Sequence, residues 1–352
     1  MAKPVRVGII GSKFAATLHA ESYRRLPEVR MVAAASLEAD LPEFCRQYGI
    51  ANHYDDYRRM LAEQQPDLVS VCVPNYLHNQ MVLACADAGC HVVCEKPLAT
   101  TIEDAQAMIQ ACRRAGVRLF YAEDWFFAPA LRRARQIVDE GGIGRPLYVR
   151  AKETHNGSHS IYAQRAEYCG GGAIIHLGAH PLAWVMGLAG QKVAEVRAAA
   201  TAGQKANLIH HDYTGEDWGV ALLEFVGGLR AVVEGNYVTV GGMDDMVEIY
   251  GSDGVIKVDM TFGSPLQVYS RKGFGYAVEK ADFTHGWTRP AVDEFESLGY
   301  VGEIAEFVDC VRTDRDPPPG LRGEDGLAVL QLIFAIYESA RTGQAVRPDT
   351  IR

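Results

Sequence analysis

Through the first third of the chain, a short and continuously apolar run is followed each time by a helical stretch. Residues 5–10 read as a strand and 15–25 as a helix, then 31–35 as a strand and 39–48 as a helix. The pattern repeats as 68–73 with 77–88, 91–94 with 102–115, and 117–121. Strands that are apolar along both faces must be covered on both sides. With right-handed crossovers this gives a doubly wound parallel sheet. Near Trp125 the pattern changes. A helix at 129–140 stops at Gly141-Gly142, and longer strand candidates follow at 146–152, 193–199, 218–225, 229–237, 246–250, 255–259 and 266–269. Gly227-Gly228 and Ser252-Asp253-Gly254 supply hairpin turns. One helical segment, 173–186, interrupts this series, and helices at 300–312 and 325–341 close the chain. The expectation is an α/β protein with a doubly wound parallel sheet in 1–124. An α+β domain with a large open, mostly antiparallel sheet follows in 125–352.

Composition excludes several classes. Lys plus Arg number 35 and Asp plus Glu 44, a net charge of −9. An acidic chain is a poor general binder of nucleic acid and lacks a polybasic membrane tether. The longest apolar runs fall well short of the roughly 20 residues a membrane span needs, and the N-terminus enters a strand without a cleavable signal pattern. Eight cysteines, none at CxxC spacing, read as reduced core thiols of a cytoplasmic protein.

The turn after the first strand is Gly8-Ile-Ile-Gly11-Ser12-Lys13-Phe14-Ala15-Ala16. A dinucleotide-binding turn needs glycine for the bend and a small residue where helix meets strand. Gly11 and Ala16 suit those places, while Lys13 replaces the middle glycine and offers a cation to a diphosphate. Ser36 stands where an acid would grip a ribose 2′-hydroxyl, with Glu38 close behind. That favours NAD, with NADP kept open. Two further groups lie just past parallel strands, where such sheets bind ligands: Pro74-Asn75 with His78, and Glu95-Lys96-Pro97. Singly, each reads as well as an ordinary loop. In Gly170-Gly171-Gly172-Ala-Ile-Ile-His176-Leu-Gly-Ala-His180-Pro181, two histidines four apart share one face of a helix. Interior histidines satisfied by neighbours, an acid/base site and a metal pair all fit that spacing, in that order. The HExxH glutamate is missing, and no metal ligand is assigned. Polar clusters at Glu153–His155–Tyr162, His210-His211-Asp212 and His285–Arg289 suit hydroxyl binding or plain solvation.

Taken in chain order, these pieces resemble the glucose–fructose oxidoreductase / inositol dehydrogenase / MocA family of NAD(P)-dependent oxidoreductases. The likeness runs from the Val-Gly-Ile-Ile-Gly turn and His19 to Glu95-Lys96-Pro97 and Ile143-Gly144-Arg145-Pro146. It continues through the glycine-triplet helix to Ile336–Gly343. The resemblance implies a Rossmann domain and NAD bound by Gly11, Ser12, Lys13, Phe14, Ala15, Ser36, Pro74, Asn75, His78, Glu95 and Lys96. It implies Lys96 and His180 in catalysis, converging on the nicotinamide. The family commonly has Asp where this chain has His176, so His176 joins the catalytic set as a relay or substrate-orienting group. Trp125, Glu153, His155, Tyr162 and His176 are expected to line the substrate pocket. The implied activity is hydride transfer between nicotinamide and a hydroxyl of a sugar, sugar acid or cyclitol. A redox-neutral glycoside-cleaving enzyme and a non-catalytic sugar or nucleotide sensor are the alternatives. A homodimer or homotetramer built on the open sheet is implied as well.

Overall fold

The computed structural model describes residues 3–261, 263–264, 266–275 and 284–351. Contacts divide the chain into two units: Met1–Phe127 with Gly299–Ala328, and Ala128–Leu298 with Val329–Arg352. The return of 299–328 to the first unit is a feature that a single boundary at 124/125 does not express.

The first unit is a six-stranded parallel sheet, order β3-β2-β1-β4-β5-β6. Its strands are β1 (Val5–Ile10), β2 (Val29–Ala35), β3 (Asn52–Tyr54), β4 (Leu68–Val71), β5 (His91–Cys94) and β6 (Leu119–Tyr121). Between them run α1 (Phe14–Arg24), α2 (Leu41–Tyr48), α3 (Tyr57–Gln64), α4 (His78–Asp87) and α5 (Ile102–Ala115). β3 and α3 are absent from the sequence expectation. β3 is a polar edge strand with two of its three residues exposed, so it carries no apolar run. Val7, Ile9, Ala20, Tyr23, Phe120, Ile304 and Phe307 are among the residues of one buried core.

The second unit begins with α6 (Pro129–Asp139) and β7 (Pro146–Asn156). Then come α7 (Ala166–Cys169), α8 (Ala173–His176), α9 (Ala179–Ala189) and the strands β8 (Val193–Ala200), β9 (Trp218–Phe225), β10 (Arg230–Asn236), β11 (Val238–Met243), β12 (Met246–Gly251) and β13 (Val255–Asp259). The seven-stranded sheet has the order β13-β12-β7-β10-β9-β8, with β11 also on β7. β14 (Val268–Ser270) pairs with β15 (Gly286–Thr288). The sheet is mixed, because β10 runs parallel to β7 while the other pairs are antiparallel. α10 (Glu294–Leu298) belongs to this unit and α11 (Tyr300–Thr313) to the first. α12 (Gly323–Thr342) contributes residues to both.

The helix expected over 173–186 is broken at Leu177-Gly178. Pro181 explains the break. In a continuous helix its missing N–H would leave the Leu177 carbonyl unsatisfied and its ring would strike that carbonyl. Instead His180 N–H donates to the Leu177 carbonyl, and Pro181 sits in the first turn of a new helix. His176 and His180 therefore do not share one face of a single helix. No single helix among the described residues is long and apolar enough to cross a membrane.

Candidate active site

In the first unit, the candidate residues lie at the carboxyl ends of adjacent strands. Gly11 follows β1 with φ of 124°, and a Cβ there would lie 2.1 Å from the Cys72 carbonyl oxygen. Only glycine fits this turn. It leads into α1, whose first turn carries no acidic side chain, so the helix N-terminus is open to an anion. Ser12 is buried, and its hydroxyl donates to Asp40 Oδ1 at 2.8 Å and lies 3.1 Å from Ser36 Oγ. Lys13 and Phe14 are exposed and Ala15 is half-buried. The Lys13 ammonium is 2.8 Å from Asp40 Oδ2 and 3.3 Å from Glu38 Oε2. These contacts raise the lysine pKa, and its hydrogen bond lowers that of Asp40. The cation expected for a diphosphate is thus engaged at the end of β2. Asp40 is a residue the sequence reading missed, four positions beyond the place where an acid was sought.

After β4, Pro74 and Asn75 are half-buried in a single 3-10 turn, Asn75–Leu77. His78 is fully buried. Its Nε2 lies 3.0 Å from the Val73 carbonyl, and its Nδ1 lies 3.0 Å from the Pro97 carbonyl. Burial lowers its pKa. The ring ties the loop after β4 to the loop after β5. In that second loop Glu95 Oε2 accepts the Lys96 backbone N–H at 3.0 Å, and Oε1 lies 3.0 Å from His19 Nε2. His19 is completely buried, its other nitrogen 2.9 Å from Ser70 Oγ, which Tyr23 also meets. Glu95 and Lys96 are half-buried. Trp125 is buried in the turn after β6. Glu303 of α11 is buried too, its carboxyl pushed far up by desolvation and then by Asp124, Glu95 and Glu123.

In the second unit, Glu153 and His155 are alternate residues of β7 and so point to one side. Both are buried. Glu153 Oε1 is 3.3 Å from His155 Nε2, and Oε2 is 3.8 Å from His180 Nε2. Asp245 Oδ1 lies 4.0 Å from His155 Nε2 and accepts the Thr154 N–H. His180 is 4% exposed. α9 can press onto the sheet because Gly235 of β10 has no side chain. A Cβ there would sit 2.8 Å from Gly178 N. His176 is half-buried, its Nδ1 2.5 Å from the Tyr237 hydroxyl. That phenol, fully buried and held far above its ordinary pKa by desolvation, stays protonated. Tyr162 is half-buried against the edge of Tyr168.

The structure thus groups Glu153, His155 and His180, and ties His176 separately to Tyr237. The cluster around His210 has a structural role. His210 stacks on Tyr213 and its Nε2 meets the Tyr237 carbonyl, while Asp217 accepts the N–H groups of Leu208, Ile209 and His210. His159, His211 and Asp212 are exposed, and Trp287 stands 73% exposed.

Comparison with known proteins agrees with this architecture. Residues 5–123 match the oxidoreductase family with an NAD-binding Rossmann fold, and 131–257 match the GFO/IDH/MocA C-terminal domain. The chain is 25% identical over 352 residues to a myo-inositol 2-dehydrogenase of Thermotoga maritima, covering 99% of each chain. It is 27% identical over 302 residues to an NADP-dependent D-xylose 1-dehydrogenase of Haloarcula marismortui, covering 84% of this chain and 78% of that one. The crystal structure of GenD2 from gentamicin A biosynthesis, in complex with NAD, superposes with a TM-score of 0.90 at 25% identity. That match covers 99% of this chain and 97% of GenD2. Fold and matches together define a nicotinamide-dependent oxidoreductase. The chain belongs to the Gfo/Idh/MocA family.

Proposed function

We propose that the protein oxidises a hydroxyl of a cyclitol, sugar or sugar acid with NAD. The observation that carries this reading is the placement of Gly11, Pro74, Asn75 and Lys96 at the carboxyl ends of β1, β4 and β5, which are neighbours in one sheet. A glycine cradle beside an open helix N-terminus suits the diphosphate. Ser12, Ser36 and Asn75 are candidates for the ribose and phosphate oxygens. Glu38 and Asp40, close to Ser36 through Ser12 and Lys13, favour a free 2′-hydroxyl over a 2′-phosphate. When bound, the nicotinamide supplies the hydride acceptor.

The chain's own groups handle the proton and the charge. His180 Nε2 accepts the proton of the reacting hydroxyl, a task suited to an imidazole. The Glu153 carboxylate at 3.8 Å favours the imidazolium that results. It supplies a negative charge that His176 cannot. Lys96 stabilises the oxygen as charge develops on it. His176 accepts a hydrogen bond from the Tyr237 hydroxyl at Nδ1 and so presents Nε2–H to a substrate oxygen. Trp125, His155 and Tyr162 are carried as pocket candidates. The eight buried, unbridged thiols suit a reducing cytoplasmic compartment.

The test is an absorbance screen at the reduced-nicotinamide band, with NAD and NADP against cyclitols, aldoses and aldonates. NAD reduction by at least one polyol supports the reading. Bond cleavage in a glycoside without net reduction would replace it with the redox-neutral alternative. Cofactor binding with no turnover on the whole panel would replace it with the sensor.

A further inference from the structure

We propose that Glu216 and Tyr337 are positioning residues that fix the start of α8, and through it the placement of His176 and His180. This rests on the site assignment above, yet part of its test does not.

The glycine triplet exists to let two backbones touch. A Cβ on Gly172 would sit 2.0 Å from the Glu216 carbonyl oxygen and 2.5 Å from its nitrogen. A Cβ on Gly215 would sit 2.6 Å from Gly172 Cα, and one on Gly171 would sit 2.1 Å from the Tyr337 hydroxyl. At this contact Glu216 receives the amides that the start of a helix cannot satisfy itself. Its Oε2 accepts the Gly172 N–H at 2.8 Å and its Oε1 the Ile174 N–H at 2.9 Å. Its backbone carbonyl accepts the Ala173 N–H at 2.8 Å. Tyr337, on α12, donates to Oε1 at 2.9 Å. From there the chain of bonds runs on: His176 N–H to the Gly172 carbonyl, and Leu177 N–H to the Ala173 carbonyl, then His180 N–H to the Leu177 carbonyl. A shift at Glu216 is therefore passed to both imidazoles.

The carboxyl is buried, and desolvation raises its pKa to about 7 against the pull of its donors. Among the described residues, the Tyr337 and Tyr237 phenols are coupled to it electrostatically, and the Cys169 thiol is coupled to both phenols. The carboxylate accepts from all three donors at once. Protonation of Oε1 can reverse the Tyr337 bond, with the phenol oxygen accepting, but the neutral acid accepts the Gly172 and Ile174 N–H groups less strongly than the carboxylate does. A local opening that breaks these bonds while the carboxyl stays buried raises its pKa further, so the α8 start is held more firmly above neutral pH, whereas global unfolding, which hydrates the carboxyl, has the opposite pH sign.

The experiment measures amide exchange in residues 172–174 of the intact protein, normalised to intrinsic rates, near pH 6 and near pH 8. Wild type is expected to gain about tenfold protection at the higher pH. E216Q is expected to show low protection at both. Y337F, which keeps the carboxylate and its two backbone donors, should lose only part, and it carries the test if E216Q fails to fold. On the polyol with the fastest wild-type turnover, E216Q should lower kcat about tenfold with KM for NAD unchanged. Undiminished, pH-independent protection in both variants overturns the proposal, as does lost protection with kcat intact. The exchange arm needs no substrate, so its failure is distinguishable from failure of the dehydrogenase reading.

Discussion

Ser36 follows β2 where a dinucleotide sheet ordinarily carries an acid, and Asp40 returns a carboxylate to the same place through Ser12 and Lys13. Nothing in the local spelling announces this, because the contact depends on how the chain between β2 and α2 turns. His176 was legible as a departure from the family, but its partner Tyr237 lies 61 residues away, beyond any local pattern. Replacing both carboxylates near Ser36, as Glu38→Arg with Asp40→Ser, should shift the ratio of kcat/KM for NADP over NAD upward by about tenfold or more. A tenfold change corresponds to about 1.4 kcal/mol of differential binding. Initial rates with both cofactors measure it, and an unchanged ratio removes these two residues from cofactor choice.

At the level of elements, β1, β4 and β5 were readable from apolar runs alone, since each is buried on both faces. The break at Gly178 was written in Pro181 yet overlooked, because the apolar pattern continues straight across it. The glycine triplet was read as permission for close approach, but the approaching segment, 215–216, could not be named from spacing. Two outcomes follow for this contact. Gly172→Ala should destabilise the protein by about 3 kcal/mol or more, since the clash is with backbone rather than a movable side chain. Thermal unfolding checks this, and an unchanged Tm contradicts it. The second outcome concerns pH. A carboxyl raised from 4.5 to about 7 on folding favours the folded state fully below its unfolded pKa. That contribution is lost as pH rises through about 7, and amounts to roughly 3 kcal/mol. E216Q should flatten this part of the stability-versus-pH curve between about pH 4.5 and 7 in denaturant titrations. An identical curve would place Glu216 at an ordinary pKa.

For the molecule as a whole, the second unit's sheet has, among the described residues, one face under helices and one without. Ala198, Ala221, Val233, Ala151 and Val247 face inward, following the strand register. The other face carries Arg197, Leu222, Val232, Arg150, Glu248 and Lys257 in one row. Glu195, Glu224, Arg230, Tyr148, Tyr250 and Val255 form the next. The two rows combine charges of both signs with apolar and aromatic side chains, a surface that can meet its own copy about a two-fold axis. We propose that this face builds a homodimer or homotetramer. Leu222→Glu should then lower the mass seen by light scattering after size exclusion, and a wild-type protein that elutes as a monomer contradicts the proposal.

We propose that Lys96 and His180 both serve hydride transfer from the substrate hydroxyl to the nicotinamide. Single-turnover NAD reduction by the K96A and H180A variants tests it, with cofactor binding measured separately by fluorescence titration. Both variants are expected to bind NAD as wild type does and to lose at least ~10²-fold in the rate of hydride transfer. Full-rate transfer in either variant would contradict the account.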